Sequence, residues 1–315
     1  MNTHTLTLRR SGRFLADMLR IRRVEYLIAE IPILLIPALV VGGADAFDGG
    51  YGGAIALLFF LLFNFGDMIN CLADRELDAR YKTWLSQAVY GLGVDFVRAQ
   101  VWATAAGALA LGAHLSWSLE RWWILALVAV GLALGAAYSV APARLKGRGL
   151  AQLACLWAIL FVGPMTLVAS ALAAAPDPGA LVLFAAYGAA QMGVILVNTA
   201  EDFPEDRAAG VRTSIVALGL RRGIGLAALL VGVAGACVLG WFAGAGAPAW
   251  ALAVEAGAWG FVLAGVLGLY RAIRGVGEAE AIALVKARAK RVPAWVTVFA
   301  WSTLLNASVI AGLWK

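Results

Sequence analysis

The chain has 315 residues, of which 62% are hydrophobic and 14% charged, with a mean hydropathy of +0.84. That balance excludes a soluble globular protein and points to a polytopic membrane protein. The net charge of +6 would suit a nucleic-acid binder, but the basic residues sit between long apolar runs, which is the pattern of membrane topology.

The apolar runs are near-continuous rather than alternating, so an outer-membrane barrel is excluded. Cys71, Cys155 and Cys237 lie in or beside apolar runs without a CxxC pair, and His4 and His114 are far apart. Neither a disulfide framework nor a zinc or histidine metal centre is indicated. No protein partner is inferred.

Residues 1–24 carry Arg9, Arg10, Arg13, Arg20, Arg22 and Arg23 around short apolar stretches. The segment is too long and too basic for a cleaved signal peptide, and reads as a cytoplasmic arm or interfacial helix. Residues 25–315 read as one membrane domain of nine spans at 25–44, 51–70, 95–115, 121–140, 151–173, 180–200, 222–244, 248–270 and 293–313. Each approaches the ~20 residues needed to cross ~30 Å of hydrocarbon. With the N-terminus inside, 23 of the 25 lysines and arginines fall on the inner side, leaving Arg121 and Lys315 outside. The expected fold class is therefore an all-α integral membrane protein with nine transmembrane helices, N-terminus cytoplasmic and C-terminus outside. An inner (plasma) membrane with a cytoplasm-facing site follows. Outer loops at 173–180 and 244–249 are short and small, and 271–292 is an amphipathic basic segment expected to lie over the inner leaflet.

Two acids fall inside spans. Intramembrane carboxylates are functional candidates by default. Glu30, in the inner half of the first span, is a candidate substrate contact, whereas Glu255, in the outer half of the eighth, suits helix bonding.

The second span runs into Asp67, Asn70, Asp74 and Asp78. The last three are four residues apart, one stripe on a helix face. Three oxygen donors on one face suit a hard cation such as Mg²⁺. The sixth span leads into Asn198, Asp202 and Asp206, the same spacing 128 positions on. Two copies of N-x3-D-x3-D, each ending an apolar run on the cytoplasmic side, read as a pseudo-repeat within one bundle. Facing acidic clusters would repel unless cations sat between them. Arg75, Arg80 and Lys82 interleave with the first copy, and Arg207 and Arg212 follow the second. The end of the fourth span, with Tyr138, Ser139, Pro142, Arg144, Lys146 and Arg148, reads as a basic lip facing an anionic substrate. Acids for Mg²⁺, cationic neighbours and an apolar cavity in a bilayer fit a ligand with a diphosphate head and a long hydrocarbon tail. Ionising it would leave an allylic cation, which aromatic faces such as Tyr138, Trp84, Trp102 or Trp157 could stabilise.

The motifs carry a resemblance. NCLADRELD (70–78) resembles the first aspartate-rich motif of the UbiA superfamily of intramembrane prenyltransferases, NDxxDxxxD. NTAEDFPEDRAAGVRT (198–213) resembles its second, and YSVAPARLKGRG (138–149) its tyrosine-serine, proline, arginine-leucine-lysine loop. The resemblance covers essentially the whole chain. It implies an all-helical bundle around a central cavity, with Asn70, Asp74, Asp78, Asn198, Asp202 and Asp206 as the catalytic residues holding Mg²⁺ and diphosphate. Lys82, Arg144, Lys146, Arg207 and Arg212 are then phosphate partners, and Tyr138, Asp67 and Glu30 candidate cation or acceptor contacts. The implied activity is Mg²⁺-dependent transfer of an isoprenyl group from a prenyl diphosphate to a quinone-type aromatic or a lipid or isoprenoid acceptor.

The chain also departs from the pattern. Cys71 replaces the Asp after the motif's Asn, the stretch after Asp78 lacks an Asn-Pro-Arg-type continuation, and Ile195 stands where members acting on 4-hydroxybenzoate have an Asp. These leave open a membrane terpene cyclase, in which the prenyl chain captures its own cation. A transporter is disfavoured because the acids sit at span ends rather than at their centres.

Overall fold

The computed structural model describes residues 3–173 and 177–314, so part of the expected outer loop at 173–180 lies outside the described residues. Every element named below is helical. In chain order, α1 (Thr3–Ile21) leads through Arg23 and a 3-10 turn at Val24–Tyr26 into α2 (Leu27–Gly42), then α3 (Gly52–Tyr81), α4 (Thr83–Leu92), α5 (Val94–Ser118) and α6 (Trp123–Ser139). After a 3-10 turn at Leu145–Gly147 come α7 (Leu150–Trp157), a π-helical turn at Ala158–Val162, and α8 (Gly163–Leu172). Then follow α9 (Pro178–Glu201), α10 (Phe203–Ala208), α11 (Ser214–Leu218), α12 (Leu220–Gly244), α13 (Ala249–Arg274), α14 (Glu278–Ala289) and α15 (Val292–Ile310).

Helices occupy all nine expected span positions, and seven are long and apolar enough to cross a membrane. These are Val24–Gly42, Gly52–Tyr81, Leu150–Leu172, Pro178–Glu201, Leu220–Gly244, Ala249–Arg274 and Val292–Ile310. The other two differ for visible reasons. α6 is apolar but has 17 residues, and α5 has 25 but opens with Asp95, Arg98 and Gln100. Pro32 and Pro37 lie inside α2, which a membrane helix tolerates where neighbouring groups satisfy the freed carbonyls. α3 has 30 residues, about 45 Å of helix against ~30 Å of hydrocarbon, so its acid-bearing end outruns the apolar depth.

The chain resolves into two compact units: residues 1–27 with 56–144, and residues 28–55 with 145–315. In the first, α1 packs on α4, where a Cβ on Gly91 would lie 3.0 Å from the buried Asp17 carboxylate. α5 meets α6 where Gly112 faces Val128, and Phe65 of α3 packs on Gly135 of α6. α1, expected as an interfacial arm, thus has a docked face: Ile21 is fully buried, and its carbonyl lies 3.8 Å from Cys71 Sγ on α3.

In the second unit the helices close on glycines, as expected where no water drives association and close backbone approach does. α9 meets α12 at Gly193, whose missing Cβ would fall 2.7 Å from the Ala227 carbonyl and 2.8 Å from Val231. Gly265 of α13 lies under the Trp295 ring of α15, and Trp259 Nε1 donates to the Val231 carbonyl at 2.8 Å. Glu255 is fully buried and accepts from Thr303 Oγ1 at 2.9 Å and Asn306 Nδ2 at 3.5 Å, bonding α13 to α15.

Gly193→Leu should overpack the α9–α12 seam and lower stability by about 1–3 kcal/mol. Thermal unfolding in detergent measures this; an unchanged midpoint would show that the seam has room for the added side chain.

Candidate active site

The first acidic motif lies on a single continuous helix. Nothing between Gly52 and Tyr81 breaks α3, so Asn70, Asp74 and Asp78 keep the four-residue spacing along one face. Their environments differ. Asp74 is 2% exposed, whereas Asn70 and Asp78 are half-buried. A carboxylate that deep needs a counter-charge, and Arg144 supplies one, Nη2 lying 3.4 Å from Asp74 Oδ1. Arg144 adopts φ +36°, in the left-handed region that a residue with a Cβ occupies at some cost. Tyr138, at the end of α6, is buried, and Lys82 is half-buried at the α3–α4 junction, its amide capping the Asp78 carbonyl at 2.8 Å. Arg75 is directed to Glu76 at 3.0 Å.

Asp67 lies near a cluster that sequence reasoning missed. Arg23, at φ +48°, stacks over Tyr26 at 4.4 Å and Trp84 at 5.8 Å and pairs with Glu25 at 2.9 Å, while the charge of Asp67 acts on it as well.

The second motif departs from the expected single stripe. α9 ends at Glu201 and α10 begins at Phe203, with Asp202 between them at φ −85°, ψ 5°. Pro204 explains the break, since it has no N–H and its ring would strike the carbonyl of Ala200 in a continuous helix. Asp206 still donates its amide to the Asp202 carbonyl at 2.8 Å, so the two acids stay one turn apart on the short helix. Both are half-buried, while Asn198 on α9 is exposed. Glu30, in α2 of the same unit, is 7% exposed.

The basic lip and the segment after the second motif are stitched together. Arg148 and Arg212 form a parallel β-bridge, and Gly149 N–H donates to the Arg212 carbonyl at 2.7 Å. Gln152 Oε1 accepts from the Ser214 amide at 2.7 Å, and the Ser214 hydroxyl lies 2.9 Å from both that oxygen and the Gly149 carbonyl. These bonds are buried, so they hold the register. Gly149 is needed here at φ +61°, where any side chain would also press on Ala217. Two guanidiniums and Lys146, on the turn just before, thus emerge from adjoining backbone.

Arg207 pairs with Glu278 at 2.6 Å, and Lys286 pairs with Glu205 at 2.7 Å. α14 is therefore held to α10. The bond from Glu205, with the charges of Glu201 and Asp202, raises the Lys286 ammonium, and the bond from Arg207 lowers the Glu278 carboxyl.

Among the described residues no group of three His, Cys, Asp or Glu side chains comes together to hold a metal ion. The donors present are carboxylate and amide oxygens, the chemistry Mg²⁺ prefers. Mg²⁺ needs only one or two protein carboxylates when phosphates and water complete its shell, so the donor set fits a metal that arrives with a diphosphate.

Gln152→Leu should leave the buried Ser214 amide without an acceptor and cost about 1–3 kcal/mol. Amide exchange at 211–214 should rise with the fall in melting temperature; unchanged exchange would mean the stitch does not depend on Gln152.

Comparison with known proteins follows the same lines. The described fold is similar to a digeranylgeranylglyceryl phosphate synthase structure at TM-score 0.69, 14% identity, covering 94% of this chain and 99% of that one. It is similar to a UbiA homologue from Archaeoglobus fulgidus bound to GPP and Mg²⁺ at TM-score 0.60, 18% identity, covering 90% and 99%. A UbiA homologue from Aeropyrum pernix K1 matches at TM-score 0.55, 19% identity, covering 87% and 98%. At such identities these likenesses establish the fold. No curated protein matches the chain by sequence. The model of the UbiA prenyltransferase family matches residues 31–278, and this chain belongs to that family.

Proposed function

We propose that the protein is an integral-membrane prenyltransferase that takes a prenyl diphosphate, with Mg²⁺, and transfers the prenyl group to a hydrophobic acceptor, either a quinone-type aromatic or a lipid or isoprenoid. The observation that carries the reading is family membership over residues 31–278, joined to two acid motifs at the ends of apolar helices. Homologues of the same fold bind GPP or DMAPP with Mg²⁺. We also propose nine spans, α5 and α6 joining the seven long apolar helices, with the N-terminus and both motifs on the cytoplasmic side and the C-terminus outside, because that arrangement places 23 of 25 basic residues inside.

Asn70, Asp74, Asp78, Asn198, Asp202 and Asp206 would hold the metal and, through it, one diphosphate. When bound, Mg²⁺ neutralises the leaving diphosphate. Lys82, Arg144, Lys146 and Arg212 carry the remaining phosphate charge by direct pairing. Arg207, held by Glu278 in the structure, adds charge to the same neighbourhood. The apolar spans keep water from the cation left on the prenyl carbon, and Tyr138, with Asp67 and Glu30 as candidate acceptor contacts, faces the transfer step. The acceptor loses the proton from the ring carbon or hydroxyl that is alkylated, and diphosphate is the other product.

Asp74→Ala and Asp202→Ala should each lower diphosphate release by about a hundredfold or more while leaving the protein folded. Purified protein supplied with Mg²⁺ and prenyl diphosphates of increasing length tests this by mass spectrometry. A cyclised hydrocarbon formed without acceptor would replace transfer by cyclisation, and near-normal turnover in either variant would overturn the assignment.

A further inference from the structure

Helix α14 begins at Glu278, where the segment shared with the family ends, and the proposed reaction assigns it nothing. It is nevertheless fastened to the second acidic motif. Ala281, Val285 and Ala289 are buried along one face, and two ion pairs reach from α14 to α10, Arg207–Glu278 at 2.6 Å and Lys286–Glu205 at 2.7 Å. The turn before α14 is pinned in addition, since Arg221 Nε donates to the Ile273 carbonyl at 3.0 Å and its Nη2 to that of Val276.

The two pairs are not equivalent. Arg207 and Glu278 are both more than half exposed, so water screens them and their pairing contributes little. Glu205 is 30% exposed, but its Oε2 is buried without a hydrogen-bond partner, and only Oε1 meets Lys286. Lys286 is therefore the cation that its carboxylate meets. Glu205 lies between Asp202 and Asp206 in a helix of six residues, too short to hold its own shape. An uncompensated carboxylate in the middle of this turn would drive Glu205 toward water and carry its neighbours with it.

We infer that Lys286 is a positioning residue for the second acidic motif: by compensating Glu205 it fixes the α10 turn that presents Asp202 and Asp206 to the diphosphate-bound metal. The inference rests on the prenyl-diphosphate reading of that site, but the latch itself is a property of the fold. Lys286 acts through Glu205 and does not touch the substrate. Removing one partner of a pair leaves the other orphaned, whereas removing both is far milder, and that asymmetry distinguishes positioning from direct substrate binding.

The experiment compares Lys286→Met, Lys286→Arg and the double variant Glu205→Gln/Lys286→Met with the wild type in detergent. Hydrogen–deuterium exchange at 203–208 is read without substrate, and KM and kcat with a prenyl diphosphate and Mg²⁺. Lys286→Met should speed exchange in α10 and raise KM about fivefold, the size of a partly buried pair's loss, with kcat changed less than KM. Lys286→Arg and the double variant should return both readouts to within about twofold of wild type. Wild-type exchange and KM in Lys286→Met would overturn the inference. So would a double variant as impaired as the single, since Lys286 would then act on the diphosphate itself. Should the wild type release no diphosphate, the prenyltransferase reading fails, while the exchange data still decide whether the latch exists.

Discussion

Carboxylates placed against the hydrocarbon are the constraint from which the rest of this structure follows. Charge that deep is held only where something compensates it. Asp74 is 2% exposed and meets Arg144, a residue 70 positions on that emerges from a backbone in the left-handed region. Glu205, shallower at 30% exposed, meets Lys286 from a helix 81 positions on. Glu255, within the bundle, is compensated differently, by hydroxyl and amide donors on α15. In the first two cases the compensation ties a loop or an accessory helix to an acidic motif, so electrostatic necessity also fixes local geometry.

The two acidic motifs share a spacing and are unequal in structure. The first copy rides on the unbroken α3, longer than a membrane requires, and its geometry is that of a rigid rod. The second is cut by Pro204 into the end of α9 and the short α10, and relies on neighbours for its shape: the Thr213-capped α11, the Arg148–Arg212 bridge, and α14. A motif on an unbroken helix and one on a braced turn present similar donors from different supports.

Much of this was legible from residue order. Long apolar runs announce helices of membrane length, because that depends on local composition alone. The motif residues stood out for a related reason: Asn and Asp at fixed spacing beside an apolar run are costly to place there. α5 and α6 were harder, one carrying charges in its first turns and the other short. The break at Asp202 was signalled by Pro204, but the spacing of Asn198, Asp202 and Asp206 looked so like the first copy that it masked the proline. Pairings across long separations, Arg207–Glu278, Lys286–Glu205 and Gln152–Ser214, left no local trace. Nothing around Lys286 in the sequence separates a latch from an ordinary charge on an interfacial helix. The docking of α1 on α4 through Asp17 and Gly91 was hidden likewise, because a buried Asp among arginines reads as solvated charge.

The proposal on which the functional reading turns is that both motifs act on a single metal-bound diphosphate, and energetic coupling between them tests it most directly. Mg²⁺-dependent binding of a non-reactive prenyl diphosphate analogue would be measured for the wild type, Asp74→Asn, Asp202→Asn and the double variant. The account predicts strong non-additivity, with the double variant binding hardly more weakly than the poorer single one, as expected for groups sharing one ligand. Losses that simply multiply would mean that the motifs work independently and would contradict it.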